Sequence, residues 1–340
     1  MVPDVWGVVA TANAPLLDIA RFCAHHLSEG AEVIFIYLDK PDVEVIAALE
    51  TLPQIKVIPT DNAYWSSKGA RPENIEQRQS RNARDAARKI KAQFPHLKWL
   101  GHLDIDEFIT MAPTVKMGRR LAMQPPDCQC VRIMPMENLI PDEHGYSGPE
   151  QFKFLKRQVP ERRRISKTIF PEFGEVLSGG FLSHQAGKVF FRLSGDKIIP
   201  KIHSVIIDGE KCPGERTLIG IDLAHFHVKP WEEFKNIYSN RRTKGSYRDG
   251  LTPDKKRKNR KLSLVTLFDQ LEAREGIVGI RRLFDEVCVA TPSLVERLTE
   301  HDVYRTVDME FSRKIFVILT TRHSSGALAF EIYRISLLHC

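Results

Sequence analysis

The chain has 340 residues, 27% charged and 42% hydrophobic, and its 50 Lys and Arg against 43 Asp and Glu give a formal charge of +7. This is the balance of an ordinary globular protein; it excludes a disordered or fibrous chain and favours an anionic partner without choosing among phosphates, nucleic acid and acidic lipid. The longest apolar runs, "EVIFIYL" and "KIFVILTT", are too short to span a bilayer, and no basic-then-apolar leader opens the sequence, so a cytoplasmic location is expected.

In chain order, "DVWGVVAT" reads as a strand, and Leu16, Leu17, Ile19, Ala20, Phe22, Cys23 and Leu27 then recur at helical spacing until Gly30 stops them. "EVIFIYL" is a continuous apolar strand ending at Asp39, "VEVIAALETL" a short helix and "QIKVIPT" a third strand. Alternation of this kind implies a largely parallel α/β sheet. A long basic helix, "ENIEQRQSRNARDAARKIKAQF", closes at Pro95 and leads into a fourth strand. No glycine-rich dinucleotide or P-loop fingerprint lies near the first strands. Beyond residue 128, "CQCVRIMPM", "GKVFFRL" and "HSVIID" look like strands, Asp208-Gly209 like a hairpin turn, and "WEEFKNIYSNRRTKG" like a helix ended by Gly245. Helical patterns return in "SLVTLFDQLEA", "VGIRRLFDEVCVA" and "PSLVERLTEHD"; the later "KIFVILTT" reads as strand or loop. The six cysteines are scattered. Only Cys128 and Cys130 are close, without the C-x-x-C spacing of zinc or redox sites, so reduced structural thiols are expected.

The fourth strand carries the chemistry. In "GHLDIDEFI", strand alternation puts Leu103 and Ile105 on one face and His102, Asp104 and Asp106 on the other. Two carboxylates that close repel, and they require water, a basic partner or a hard divalent cation such as Mg²⁺ or Mn²⁺; the competing reading is an acidic helix cap at a solvent-facing strand end. Open α/β sheets bind ligands at the carboxyl ends of their strands, where Thr11, Asn13 and Asp39 are also expected to gather.

Three stretches now resemble one family. "RFCAHHLSEGAEVIFIYLD" (21–39), "WLGHLDIDEFI" (99–109) and "LAHFHVKPWEEFKNIYSNRRTKG" (223–245) are similar to bacterial glycosyltransferase family 2-like proteins, whose signature is an aspartate pair written D-x-D-E-F. The resemblance implies a GT-A type fold, a Rossmann-like mixed sheet flanked by helices, over residues 1–249, with a mainly helical C-terminal extension over 250–340. It implies a nucleotide-sugar donor, a Mn²⁺ or Mg²⁺ cofactor, and sugar transfer, with inversion, to a glycan or lipid-linked acceptor in cell-surface or exopolysaccharide synthesis. Asp104 and Asp106 would form the metal motif, with Asp106 the direct ligand and His225, or His227 beside it, completing the site. Thr11, Asn13, Asp39, Arg78, Lys188 and Lys229 would contact the donor, with Arg81 beside Arg78 on the basic helix a further candidate. An inverting transfer needs a carboxylate base; Glu107, Glu137, Glu172, Glu175 and Asp222 are available, and Glu107 is the best placed.

Two other functions compete. A nucleotidyltransferase also uses paired aspartates on a strand. A noncatalytic nucleic-acid-binding protein would exploit the positive charge and the block "DKKRKNRK" (254–261), which lacks the aromatic residues that stack on bases. The same block reads first as a solvated loop, and as a contact surface it suits an anionic inner membrane face as well as nucleic acid.

Overall fold

The computed structural model describes residues 2–143, 145–243 and 264–321. Gly245 and the block at 254–261 lie outside the described residues. The first part runs β1 (Trp6–Ala12), α1 (Leu16–Ser28), β2 (Val33–Leu38), α2 (Val43–Glu50), β3 (Ile55–Pro59), α3 (Asn62–Ser66), α4 (Ile75–Gln93), β4 (Trp99–His102), β5 (Glu107–Met111), α5 (Met117–Ala122) and β6 (Cys130–Asn138). There follow β7 (Ile140–Pro141), β8 (Glu150–Phe154), α6 (Val159–Ile169), β9 (Lys188–Arg192), β10 (Ile198–Pro200), β11 (Val205–Ile207), β12 (Glu210–Lys211) and β13 (Arg216–His225). The last part holds α7 (Trp231–Thr243), α8 (Leu264–Glu275), α9 (Ile277–Cys288), β14 (Val289–Ala290), α10 (Pro292–Glu300), β15 (Tyr304–Val307) and α11 (Phe311–Thr321). The fold is mixed α/β with a helical C-terminal part, and no helix among the described residues is long and apolar enough to cross a membrane.

The chain forms two compact units that interleave along the sequence. One comprises the chain up to Met134, Ala186–Leu223 and the described residues from Met309; the other comprises Pro135–Gln185 and the described residues between Ala224 and Asp308.

In the first unit β3, β2, β1 and β4 are parallel, β9 runs antiparallel to β4, and the first half of β6 runs antiparallel to β9. All residues of β1 and β2 are buried, as unbroken apolar strands of a sheet covered on both faces must be. Gly101 of β4 stands opposite Phe190, and a Cβ there would meet the ring at 2.2 Å, so only glycine lets that aromatic lie across the strand. The Asp208-Gly209 turn joins β11 to β12, both residues with positive φ (51° and 93°), as expected from the sequence.

"KIFVILTT" is not strand or loop; it forms most of α11. Its β-branched residues are outweighed by helical spacing, which buries Ile315 and Ile318, and α11 packs on α1. Phe311 reaches Phe108 (centroids 4.8 Å apart) and His25 (6.0 Å).

The same contact explains the His25-His26 pair. His25 Nε2 donates to the Ile109 carbonyl (2.6 Å), and Ile109 N donates to His26 Nε2 (3.4 Å). The two imidazoles thus satisfy both polar groups of one β5 residue, as a neighbouring strand would. His26 Nδ1 donates back to Phe22 O (2.8 Å), and Lys314, itself paired with Glu29 (2.9 Å), lies 3.2 Å from His25 Nδ1. Burial first, then the Lys314 charge, holds His25 down at about 3; burial and the neighbouring His25 hold His26 at about 3. The unfolded chain takes up these protons near pH ~6.5, so between that pH and about 3 it binds more protons than the folded state, and stability falls as pH drops through that window. Urea titrations at pH ~7 and ~4.5 are expected to show this loss, and the double variant His25→Gln/His26→Gln to flatten it. An unchanged pH slope in the variant would contradict the neutral-imidazole bridge.

The second unit pairs the second half of β6 with β8 and β8 with β15, all antiparallel, beside a parallel β7–β14 pair. Its helices close over a core that includes Phe170, Phe234, Tyr238, Phe268, Leu283 and Phe284. Within it, fully buried Lys153 lies 3.1 Å from fully buried Glu137 and donates to the Gly180 (2.7 Å) and Val287 carbonyls, while Glu137 accepts from Leu182 N and Ser183 N. No charge of this pair is left unpartnered, which is the condition for burying it.

Candidate functional site at the strand ends

The parallel register brings the carboxyl ends of β1, β2 and β4 together. Asp39 N donates to Ala12 O (2.8 Å) and Leu103 N to Val9 O (3.1 Å), so Thr11, Asn13, Asp39 and Asp104 collect on one edge.

The alternating-face argument for Asp104 and Asp106 does not hold. β4 ends at His102, and the chain turns through residues 103–106 before β5. The turn is closed twice: Glu107 N donates to Asp104 O (3.1 Å), and Asp104 N donates to the Glu107 carboxylate (2.7 Å). A side chain thus takes the place of a strand neighbour, which apolar periodicity cannot reveal. Asp106 sits within the turn, half-buried.

The turn rests on Lys188. This side chain has no exposed surface; its Nζ donates to Asp104 Oδ2 (2.6 Å) and lies 3.3 Å from Glu107 Oε2. Burial alone would push the ammonium toward neutrality, but the Asp104 and Glu107 carboxylates outweigh it and raise its pKa. For Asp104 burial works upward and the Lys188 charge works downward, with a net shift below the ordinary carboxylate range. His102, buried and beside Lys188, is lowered to about 4 and donates from Nδ1 to Lys201 O (3.1 Å).

One helix face reaches the ends of β1, β2 and β4. Along α4, Arg78 pairs with Asp39 through two bonds (2.8 and 3.1 Å), Gln79 donates to Asp104 Oδ1 (2.6 Å), Asn82 donates to Thr11 Oγ1 (3.0 Å), and Asp85 accepts from Tyr37 OH (2.9 Å). Ala83, Ala86 and Ala87 are small enough to bring the helix close, and Ile90 fills the core beyond them. Asp85 is surrounded by Lys68, Lys89 and Arg88; burial raises its pKa, but the lysines win and hold it at about 2.

The remaining expected residues divide. Asp39 and Arg78 occupy each other, and Arg71, 45% exposed, makes a second guanidinium contact to Asp39 (3.0 Å), so both oxygens of Asp39 are committed. The N-cap of α2 is Asp42, not Asp39. Asn13 is exposed, and Arg81 donates to Ala70 O (3.1 Å). Glu107, with no exposed surface, has the geometry of a positioning group for the turn. Among the other carboxylates, Glu137 is the buried partner of Lys153, Glu172 pairs with Arg282 and Glu175 with Lys167 (3.1 Å), whereas Asp222 lends its carbonyl to Thr110. His225 and Lys229 belong to the second unit, where the His225 ring lies 4.9 Å from that of His184 and 5.1 Å from that of His227. Sequence reading missed Gln79, Asn82 and Arg71. The available signal was the polar run Arg78, Gln79, Asn82 and Asp85, which follows one face of a helix that must pack on an apolar sheet.

Neither a scan against protein-family models nor a search of curated proteins finds a match to this chain.

Lys188→Met removes the buried cation that Asp104 and Glu107 share, an expected loss of about 3–5 kcal/mol in urea unfolding followed by fluorescence of buried Trp99. Glu107→Gln, whose amide oxygen still accepts from Asp104 N, is expected to cost less. Equal losses would contradict the assignment of Lys188 as the charge that holds the turn.

Proposed function

We propose that the protein is a metal-dependent glycosyltransferase of GT-A type that takes a nucleoside-diphosphate sugar at the carboxyl edge of β1, β2 and β4. The observation that carries the reading is the Asp104–Asp106 turn, set at a parallel strand end and oriented by Lys188 and Gln79. An acidic turn at that edge of an open α/β sheet is where a diphosphate and its cation are expected.

The donor atoms of the turn are carboxylate oxygens, which suit Mg²⁺ or Mn²⁺. Both Asp104 oxygens already accept hydrogen bonds, one from an ammonium at 2.6 Å, so Asp106 is the direct ligand and Asp104 its orienting neighbour. Asp106 would hold the cation, which would supply positive charge to offset the negative charge developing on the leaving nucleoside diphosphate. Arg71, the half-exposed cation at the end of β2, supplies a further positive charge for the donor. Lys188 acts through the turn and touches no donor atom, since its ammonium is buried. The reading carries with it an inverting transfer to a glycan or lipid-linked acceptor at the cytoplasmic face of a membrane.

Calorimetry with uridine, guanosine, cytidine and thymidine diphosphates, each with Mn²⁺ or EDTA, tests this. The expected result is metal-dependent binding of one nucleotide, weakened at least ~100-fold by Asp106→Ala, which spares the Lys188 pairs. Nucleotide binding that ignores both EDTA and the substitution would overturn it, as would no binding by well-folded protein.

A further inference from the structure

The first unit holds a second cluster of reactive side chains that takes no part in the strand-end site. Cys130 opens β6 and is fully buried; Cys212 follows β12 with φ 48° and is half-buried. Their segments are joined by a hydrogen bond from Gln129 N to Pro213 O (3.1 Å), and they run so close that a Cβ on Gly214 would meet Asp127 O at 2.1 Å. The two sulfurs and a Glu215 carboxylate oxygen lie within 4.8 Å of one another.

Two chemistries suit such a group, a soft metal or thiol oxidation. Glu215 decides between them. Arg132 grips its carboxylate with two bonds (2.7 and 2.8 Å) and is itself anchored to the carbonyls of Ala186 (2.6 Å) and His203 (3.1 Å). A cation would have to displace that guanidinium, or make do with two sulfurs. The thiol pair needs no such rearrangement.

The geometry points to Cys130 and Cys212 as a reversible dithiol–disulfide pair oxidised by hydroperoxides, with Cys212 the attacking and Cys130 the resolving sulfur. Cys212 is the more accessible of the two, and the closeness of the two sulfurs lowers the pKa of its thiol while raising that of buried Cys130, which favours the thiolate on Cys212. With hydrogen peroxide, the Cys212 thiolate attacks one oxygen, the O–O bond breaks, and the departing hydroxide takes a proton to become water. Cys212 is then a sulfenic acid. The Cys130 sulfur attacks the Cys212 sulfur, the S–S bond forms, and the hydroxyl leaves with the Cys130 proton as a second water. Two thiols are oxidised by two electrons and one peroxide is reduced. The bond would staple the β12–β13 turn to β6, whose Ile133 is the register partner of Lys188.

The test treats the full-length reduced protein with limiting hydrogen peroxide and maps thiols by alkylation and peptide mass spectrometry. The expected product has lost two hydrogens, contains a Cys130–Cys212 linked peptide and reverts with dithiothreitol. Cys130→Ser is expected to stop at a dimedone-trappable sulfenic acid on Cys212, and Cys212→Ser to react on the order of ten-fold more slowly. Oxidation of Cys23, Cys128 or Cys288 as fast as Cys212 in the wild type would overturn the proposal. So would stoichiometric Zn²⁺ retained by the reduced wild type that shields Cys130 and Cys212 from alkylation.

Discussion

A lysine ammonium with no exposed surface is tolerable only where anions meet it, and in this protein that constraint organises the end of the central strand. Lys188 lies on β9, antiparallel to β4, and the anions that meet it are Asp104 and Glu107, which bracket the turn leaving β4. A buried ion pair of this kind adds little net stability over an apolar substitute. What it does is select one conformation: Glu107 accepts from Asp104 N with the same carboxylate oxygen that faces the ammonium. The cost of desolvating three charges is therefore spent on geometry, and the beneficiary is Asp106, the acidic residue carried inside the turn.

The second constraint is the polar face of α4. A helix that packs on a parallel sheet ordinarily presents an apolar stripe, and α4 does so only in its second half, through Ala83, Ala86, Ala87 and Ile90. Its first half spends Arg78, Gln79 and Asn82 on three different strand ends. These contacts tie β1, β2 and the turn after β4 to one rigid element, so the spacing among Thr11, Asp39 and Asp104 does not depend on loops. Rigid support of this kind is what a site needs in order to hold a ligand in one pose.

Much of this was legible in the sequence, and the illegible part has a common cause. The strands β1 and β2 announce themselves as unbroken apolar runs, and α4 by its length and by the Pro95 that follows it. The turn at 103–106 did not, because the group that ends β4 is a carboxylate three residues ahead, indistinguishable in sequence from one more acidic residue on a strand face. Lys188 was expected to contact the donor, and nothing near it in the chain points to its partner Asp104, 84 residues away. The helix α11 was obscured by β-branched residues whose conformation is decided by packing on α1. The interleaving of the two units follows from long-range pairing that no local pattern records. Cys212 lies 82 residues from Cys130, so cysteine spacing could not bring them together. Except at the turn after β4, the decisive partner is distant in the chain, whereas the elements read correctly are fixed by neighbours.

The central claim is that the turn held by Lys188 presents Asp106 to a divalent cation and a diphosphate. The most direct measurement is anomalous diffraction from crystals grown with Mn²⁺ and the nucleoside diphosphate that binds best. The account predicts a Mn²⁺ peak at the Asp106 carboxylate, with the Lys188–Asp104 contact intact. A peak seated on other residues, or on Asp104 with Lys188 displaced, would contradict it.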